Sequence, residues 1–186
     1  MHFADIPVRN QLLAALGASE LACLEPDFDT VHIELPVALF GADGSIGHVY
    51  FPENAVVSLV STPRNGRARE VNAVGCEGMA GLSVFLNGFG SPVRAYAQTP
   101  GIARRMDARR FRHLSAAPGS LHDVMLRYTQ VSLSQVARTA TCNGAHLLQE
   151  RCAAWLLRKR ERVDANEFPF SAEFLSLMLG VRRGGV

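Results

Sequence analysis

Seven short β-prone runs in the first half of the chain constrain the fold more than any other feature. They cover residues 31–35, 37–40, 48–51, 56–61, 68–74, 93–98 and 102–106. Turn residues such as Pro52, Pro63 and Pro100 separate them. Evenly spaced short strands joined by tight turns pair antiparallel and favour a barrel, a jelly roll or a sandwich. The sequence therefore predicts an antiparallel β domain over this half.

The residues before the first strand read as helical. Residues 8–24 give two short amphipathic pieces that break at Gly17. Ser19 is the expected N-cap of the second piece, because a serine hydroxyl accepts hydrogen bonds from the first free N–H groups of a helix. These pieces are expected to cover one end of the β domain.

A long helix is predicted after Pro118 and Gly119. Ser120 and Asp123 have the spacing of a capping pair, and the apolar pattern continues to about residue 143. Two faces of this helix are apolar. One carries Leu126, Leu133, Val136, Ala140 and Leu147, and the other carries Leu121, Met125, Tyr128 and Val131.

Two apolar faces require two partners. The β domain supplies one, and the same helix of a second copy is the simplest second partner. We therefore expect a homodimer through residues 120–143. The alternative is a single helix buried between the β domain and the C-terminal segment. The expected interface residues are Leu126, Leu133, Val136 and Ala140.

A further helix is predicted over residues 147–162. It would bury an apolar stripe and expose a run of basic side chains. Such a run is ordinarily a solvated face, and contact with DNA phosphates is the second interpretation. The buried residues would be Leu148, Cys152, Trp155 and Leu156, and the exposed ones Arg158, Lys159, Arg160 and Arg162.

The last sixteen residues, 171–186, read as the first half of a helix-turn-helix. Ser171 can cap a helix whose apolar positions are Leu175, Met178 and Leu179, and Gly180 can end it. Arg182 and Arg183 would then open a second helix, where side chains meet base edges and phosphates. A two-helix corner inside a core is the alternative. The expected DNA-binding residues are Ser171, Arg182, Arg183 and Lys159.

Gly184 and Gly185 follow directly in the predicted second helix. Each glycine destabilises a helix by about 1 kcal/mol relative to alanine, and an isolated turn does not nucleate. We therefore expect residues 1–186 by themselves to bind DNA poorly, because the recognition helix is incomplete.

Composition narrows the function classes. The net charge is only +2, and 18 of the 19 basic residues are arginine, so any nucleic-acid contact must be local. No apolar run reaches the roughly 18 residues that a membrane span needs, and no signal peptide is recognised, so we expect a cytoplasmic protein without a membrane partner. The cysteines lack metal-ligand spacing and are expected to be reduced thiols. They are Cys23, Cys76, Cys142 and Cys152.

Enzyme motifs are absent from the sequence. The histidines never fall as H-x-H or H-E-x-x-H, and neither G-x-S-x-G nor a glycine-rich phosphate loop occurs. A cupin-like metalloenzyme stays as an alternative for the β domain. We expect no enzymatic activity, and the sequence indicates no cofactor.

Several strings resemble the Crp/Fnr family of bacterial transcription regulators. Those of the β domain are VYFP at 49–52, AVVSL at 55–59, VGCEGMAGL at 74–82 and QTPG at 98–101, and those of the C-terminal part are RCAAWLL at 151–157 and FPFS at 168–171. The resemblance implies an α+β fold with an antiparallel β-roll or jelly-roll sensor domain over 1–118, a dimerisation helix over 119–145 and a truncated helix-turn-helix over 146–186. It also implies a homodimer on a palindromic operator, with an effector held in the β-roll.

The effector pocket departs from the pattern of family members that bind cyclic nucleotides. The resemblance places Gly78 on their glycine, Met79 where their carboxylate holds the ribose, and Ser91 near their phosphate-binding arginine. Neither Met79 nor Ser91 can do that chemistry. Arg94 could substitute if it pointed inward with Tyr96. We expect no cyclic AMP binding, and either an unidentified effector or no ligand at all. The candidate pocket residues are Gly78, Met79, Gly81, Ser91 and Arg94.

Two functional hypotheses follow from these observations. The first is a dimeric transcription regulator that binds operator DNA in its full-length form and senses a small molecule. The second is a dimeric β-roll module that binds a ligand or a protein partner without binding DNA.

Overall fold

Two antiparallel β-sheets form the first half of the molecule. The computed structural model describes residues 7–42, 44–64, 68–88, 90–163, 167 and 170–182. The strand order is β1-β7-β3 in one sheet and β2-β6-β4-β5 in the other. The strands are β1 (Asp29–Ile33), β2 (Ala38–Phe40), β3 (His48–Pro52), β4 (Val56–Ser61), β5 (Arg69–Val74), β6 (Arg94–Thr99) and β7 (Gly101–Asp107).

The predicted α+β class and antiparallel pairing are confirmed, and the strand bounds agree within a few residues. A closed barrel does not form among the described residues, because no strand of one sheet pairs with a strand of the other. Instead, the two sheets share one apolar core. Its most deeply buried side chains include Val49, Phe51, Val57, Met106 and Phe111.

The N-terminal helices lie against this core. Helix α1 (Gln11–Ala14) is capped by Asn10, whose side-chain amide also donates to the carbonyl oxygens of Pro52 and Gly78 at 3.0 and 2.8 Å. Helix α2 (Ala18–Leu24) begins after Gly17, without a side-chain cap. Ser19 lies inside α2, so its predicted capping role is wrong: the extended backbone that precedes the helix falls at Gly17, two residues earlier.

Two further helices follow strands of the β domain. Helix α3 (Leu82–Phe85) follows Gly81, and helix α4 (Ala108–Ala116) continues directly from β7. Asp107 caps α4 by accepting from the N–H groups of Arg109 and Arg110. This cap ends the sheet and turns the chain toward the long helix.

The long helix α5 (Ser120–Ala145) has 26 residues. Gly119 is its N-cap and makes no side-chain hydrogen bond, so the predicted capping pair of Ser120 and Asp123 does not form. The face that packs on the β domain carries Leu121, Val124, Met125, Tyr128 and Ser132. Val131 was expected on this face but is exposed, because the buried stripe passes through Ser132 instead.

The C-terminal helices α6 (Leu148–Val163) and α7 (Ala172–Leu179) pack on the outer face of the four-stranded sheet. Val60 of β4 belongs to their apolar cluster, whereas Val57, three residues earlier in the same strand, belongs to the core between the sheets. The buried helix residues of this second cluster are Trp155, Leu175, Met178 and Leu179. The sheet is therefore covered on both faces.

Candidate functional site

Helix α7 has the ends that the sequence predicts. The Ser171 hydroxyl oxygen accepts from the N–H of Phe174 at 3.0 Å, which makes Ser171 the N-cap. Gly180 adopts φ 67° and ψ 35°, the left-handed conformation that glycine tolerates best. The N–H of Gly180 donates to Leu177, and that of Val181 donates to Ser176 at 2.9 Å. This pair of bonds is a Schellman ending, so a sharp turn follows α7.

The start of the predicted second helix is only partly described. Val181 packs against the apolar cluster of α6 and α7, and Arg182 is exposed. Arg183, Gly184 and Gly185 lie outside the described residues. Their predicted place in a base-reading helix therefore stays a prediction.

Lys159 differs from its predicted position. Its side chain is only 3% exposed, so the expectation of an exposed lysine is wrong. Its Nζ donates to Gln98 at 3.4 Å and to Thr99 at 3.2 Å, and it lies over the ring of Trp155. In this arrangement the ammonium group faces the β-sheet, and a phosphate contact would require it to leave that position.

The arginines of α6 have separate environments. Arg162 is mostly buried and forms an ion pair of 2.7 Å with Glu77, so its predicted exposure is also wrong. Arg158 is half-buried, and Arg160 is exposed as predicted. The helix therefore presents only part of its basic run to solvent.

One face of α5 is apolar and exposed. Leu126, Leu133 and Val136 are 51%, 62% and 45% exposed, and Ala140 follows them on the same face. Within the described chain no element covers this stripe, so the alternative of a helix buried on both faces does not hold for a single copy. These four residues are the ones that the sequence predicts to form the dimer interface.

Three predicted effector-pocket residues lie beside Tyr128 or in the core. Tyr128 donates its hydroxyl hydrogen to the carbonyl oxygen of Met79 at 3.1 Å, and a Cβ on Gly78 would lie 2.8 Å from the ring carbon Cζ of Tyr128. The Met79 side chain is fully buried in the core. Gly81 has φ 103° and precedes α3. The tyrosine ring therefore fills the space next to Gly78.

The remaining two pocket candidates lie apart from that space. Ser91 is buried, and its hydroxyl oxygen accepts from the N–H of Val93. Arg94 is exposed, and its guanidinium donates to the Tyr96 hydroxyl at 3.4 Å. Arg94 and Tyr96 do share a face, but Tyr96 packs toward the cluster of α6 and α7. The inward orientation that Arg94 would need is not adopted.

A buried polar network joins the four-stranded sheet to α6. The Glu70 carboxylate accepts from the Ser58 hydroxyl at 2.5 Å, from the Gln98 amide at 2.8 Å and from the Trp155 indole at 2.9 Å. Burial raises the pKa of the Glu70 carboxyl, and this effect outweighs the hydrogen bonds from Ser58 and Trp155, which favour the ionised form. Burial also lowers the pKa of Lys159, although nearby Glu70 acts in the opposite direction.

A cavity of about 400 Å³ opens beside this network. Its walls come from β5, from the second half of α5 and from α6. Five lining residues are basic and three are acidic. The basic ones are Arg138, Arg151, Arg158, Lys159 and Arg162, and the acidic ones are Glu70, Glu77 and Glu161.

None of the predicted pocket residues lines this cavity or the smaller one near Phe85 and His122. In the sequence, one feature points toward the larger cavity: Glu70 and Asn72 are two residues apart in β5, so both polar side chains lie on the same face of the strand. This spacing marks a polar face of a strand, but it does not reveal which helix covers the face.

The described part of the chain meets neither the requirements of a metal site nor those of a membrane-spanning helix. No group of three or more histidine, cysteine, aspartate or glutamate side chains there could hold a metal ion. The helices of the described segments all fall short of the length and apolar character needed to cross a bilayer.

Solved structures share this fold at low sequence identity. A structure from Eubacterium rectale assigned to the Crp/Fnr family matches with a TM-score of 0.76 and 14% identity, covering 94% of this chain and 82% of that one. The c-di-GMP responsive global regulator CLP of Xanthomonas campestris matches with a TM-score of 0.71 and 15% identity, covering 91% and 87%. FixK2 from Bradyrhizobium japonicum matches with a TM-score of 0.72 and 16% identity, covering 84% and 79%.

Sequence comparison adds nothing to the structural match. No protein-family model matches the chain, and no curated protein matches it either. The chain therefore has the fold of Crp/Fnr regulators with their cyclic-nucleotide-binding-like domain, as its motifs predicted.

Proposed function

We propose that this chain is a homodimeric DNA-binding transcription regulator with a β-roll sensor domain. The observation that carries the proposal is helix α7, which Ser171 caps and Gly180 ends with a sharp turn. It follows a long helix and a β-roll in the order found in Crp/Fnr regulators. In helix-turn-helix proteins, a first helix and a tight turn precede the recognition helix, whose N-terminal residues contact base edges, and Arg182 and Arg183 follow the turn of α7 in sequence.

Dimerisation is the second part of the proposal. The exposed stripe of Leu126, Leu133, Val136 and Ala140 runs along α5. An apolar stripe at this spacing is stabilised when it packs against an identical helix about a twofold axis. Such a dimer would present two helix-turn-helix units to the two halves of a palindromic operator.

The effector is proposed to be a small molecule other than cyclic AMP. Met79 is fully buried and Tyr128 fills the space beside Gly78, so the chain offers neither a carboxylate for a ribose nor room for one there. No catalytic function is proposed, and the domain division is the predicted one: sensor over 1–118, dimer helix over 119–145 and helix-turn-helix over 146–186.

The test is selection of DNA from a random duplex library. Two proteins are compared: residues 1–186, and the product of the reading frame followed past Val186. We expect the second protein to enrich a palindromic sequence and residues 1–186 to bind it weakly, because the few residues after Gly180 are too short a segment to nucleate a helix on their own.

Matched arginine variants separate base reading from general charge attraction. Arg182→Gln should weaken binding to the selected sequence. Arg127 is an exposed residue of α5, and Arg127→Gln should not weaken binding. Failure of the extended protein to enrich any sequence would contradict DNA binding. It would favour the second hypothesis, a dimeric module that binds a ligand or a protein partner without DNA.

A further inference from the structure

The cavity between β5, α5 and α6 carries more positive charge than it neutralises internally. Glu77 is paired with Arg162 at 2.7 Å. Glu70 is held in the wall by three hydrogen bonds. Arg151 donates to the carbonyl oxygen of Leu179 and to the Asn143 side chain, which hold it in place without cancelling its charge.

Two of the lining arginines are available to a ligand. Arg138 on α5 is exposed and Arg158 on α6 is half-buried. Neither makes a hydrogen bond or an ion pair to any residue in the described segments. Arginine guanidinium groups bind phosphate and carboxylate oxygens in a bidentate manner, so two of them in the wall of one cavity can each hold one group of a multivalent anion.

The rest of the wall is suited to the same ligand. The volume of about 400 Å³ falls within the range of small-molecule sites. Gln135, Thr139 and Asn72 add neutral hydrogen-bonding groups to the wall. Burial raises the pKa of Glu70, so this carboxylate loses its negative charge at a higher pH than an ordinary glutamate does.

We propose that this cavity binds a small multivalent anion carrying phosphate or carboxylate groups, held by Arg138 and Arg158. None of the predicted effector-pocket residues lines this site, although Glu77, which precedes Gly78, does. Since β5, α5 and α6 each contribute a wall, a bound anion ties the sensor sheet to the helix that precedes α7. The proposal does not depend on DNA binding, and its test uses none.

The experiment measures binding of pyrophosphate and of citrate by calorimetry, at constant ionic strength. Saturable binding at one site per chain is expected for at least one of them. Binding of pyrophosphate alone would identify the ligand groups as phosphates, and binding of citrate alone would identify them as carboxylates. Absence of saturable binding for both anions would overturn the proposal.

Arginine variants locate the site. Arg138→Gln and Arg158→Gln should each weaken binding by about tenfold, since a charged hydrogen bond is lost in each. Arg127→Gln is the matched control on the same helix and should bind as the unmodified protein does. Equal weakening by all three variants would show general charge attraction and would also overturn the proposal. Arg138 is exposed, so its variant keeps the test valid if Arg158→Gln fails to fold.

Discussion

The indole Nε1 of Trp155 donates a hydrogen bond of 2.9 Å to the carboxylate of Glu70, across 85 positions of sequence. This bond joins α6 to β5 and lies between the C-terminal helices and the four-stranded sheet. The bond is partly buried, and it satisfies the indole N–H of Trp155, whose side chain is largely excluded from solvent.

The first prediction concerns this bond. Trp155→Phe removes the N–H donor but keeps an aromatic ring, and we expect the free energy of unfolding to fall by about 1–3 kcal/mol. Urea unfolding measures it. In a double-mutant cycle with Glu70→Ala, the two changes should be non-additive, because each removes one partner of the same hydrogen bond. Additive effects would show that the bond contributes nothing of its own.

The second prediction concerns the pH dependence of stability. The pKa of Glu70 is raised in the folded protein above its ordinary value of 4.5, so the folded state holds this proton more tightly than the unfolded chain does. The contribution of Glu70 to stability is therefore fully present below pH 4.5 and is lost as pH rises through the folded pKa. Burial lowers the pKa of Lys159 below 10.5, so its contribution has the opposite sign: stability rises with pH as the lysine loses its proton in the folded state.

Urea midpoints measured from about pH 4 to 8 test this linkage. Glu70→Gln carries no titrating proton and should remove the fall in stability attributed to Glu70. The control is Glu161→Gln, which changes an exposed carboxyl of α6 that lines the same cavity. An unchanged pH slope in Glu70→Gln would contradict the assignment.

The third prediction compares two glycines. Gly78→Ala places a Cβ 2.8 Å from the Tyr128 ring, which is too close for real contacts, and it should destabilise the protein by about 1–3 kcal/mol. Gly144→Ala in α5 meets nothing within 4 Å and should stabilise it by up to about 1 kcal/mol. Thermal unfolding of both variants gives the comparison. Equal effects would show that the Gly78 contact with Tyr128 is not tight.

The fourth prediction concerns the oligomeric state. The protein should sediment as a dimer at micromolar concentration, and Leu133→Lys should yield a monomer, because a charge would be buried in the stripe. Ser134→Lys lies off the stripe of Leu133, Val136 and Ala140 and should leave the dimer intact. A monomeric unmodified protein would contradict dimerisation through α5.

The fifth prediction concerns cyclic AMP. Millimolar cyclic AMP should not raise the melting temperature, because bound ligand stabilises only the state that binds it. The family resemblance places Met79 at the position of the ribose-binding carboxylate, and the Tyr128 ring fills the space beside Gly78. A rise in melting temperature that saturates at micromolar ligand would overturn this expectation.

Features that depend on neighbouring residues were accessible from the sequence. Ser171 and Gly180 bound α7 as predicted, because an N-cap and a left-handed glycine act within a few residues of their own position. The seven strands were also found, since their turns interrupt the chain at regular intervals. The capping roles of Ser19 and Ser120 were wrong, because the backbone that precedes each helix is extended at a glycine instead.

The tertiary structure decided which charges are buried. Lys159 lies four residues after Trp155, so both share one face of α6, and the sequence carried that periodicity. Its burial became possible only because Gln98 and Thr99, about 60 positions away in sequence, place oxygens beside the ammonium. Local propensity determined the order of helices and strands, whereas contacts between distant residues determined that α6 covers the sheet and leaves an arginine-lined cavity beside it.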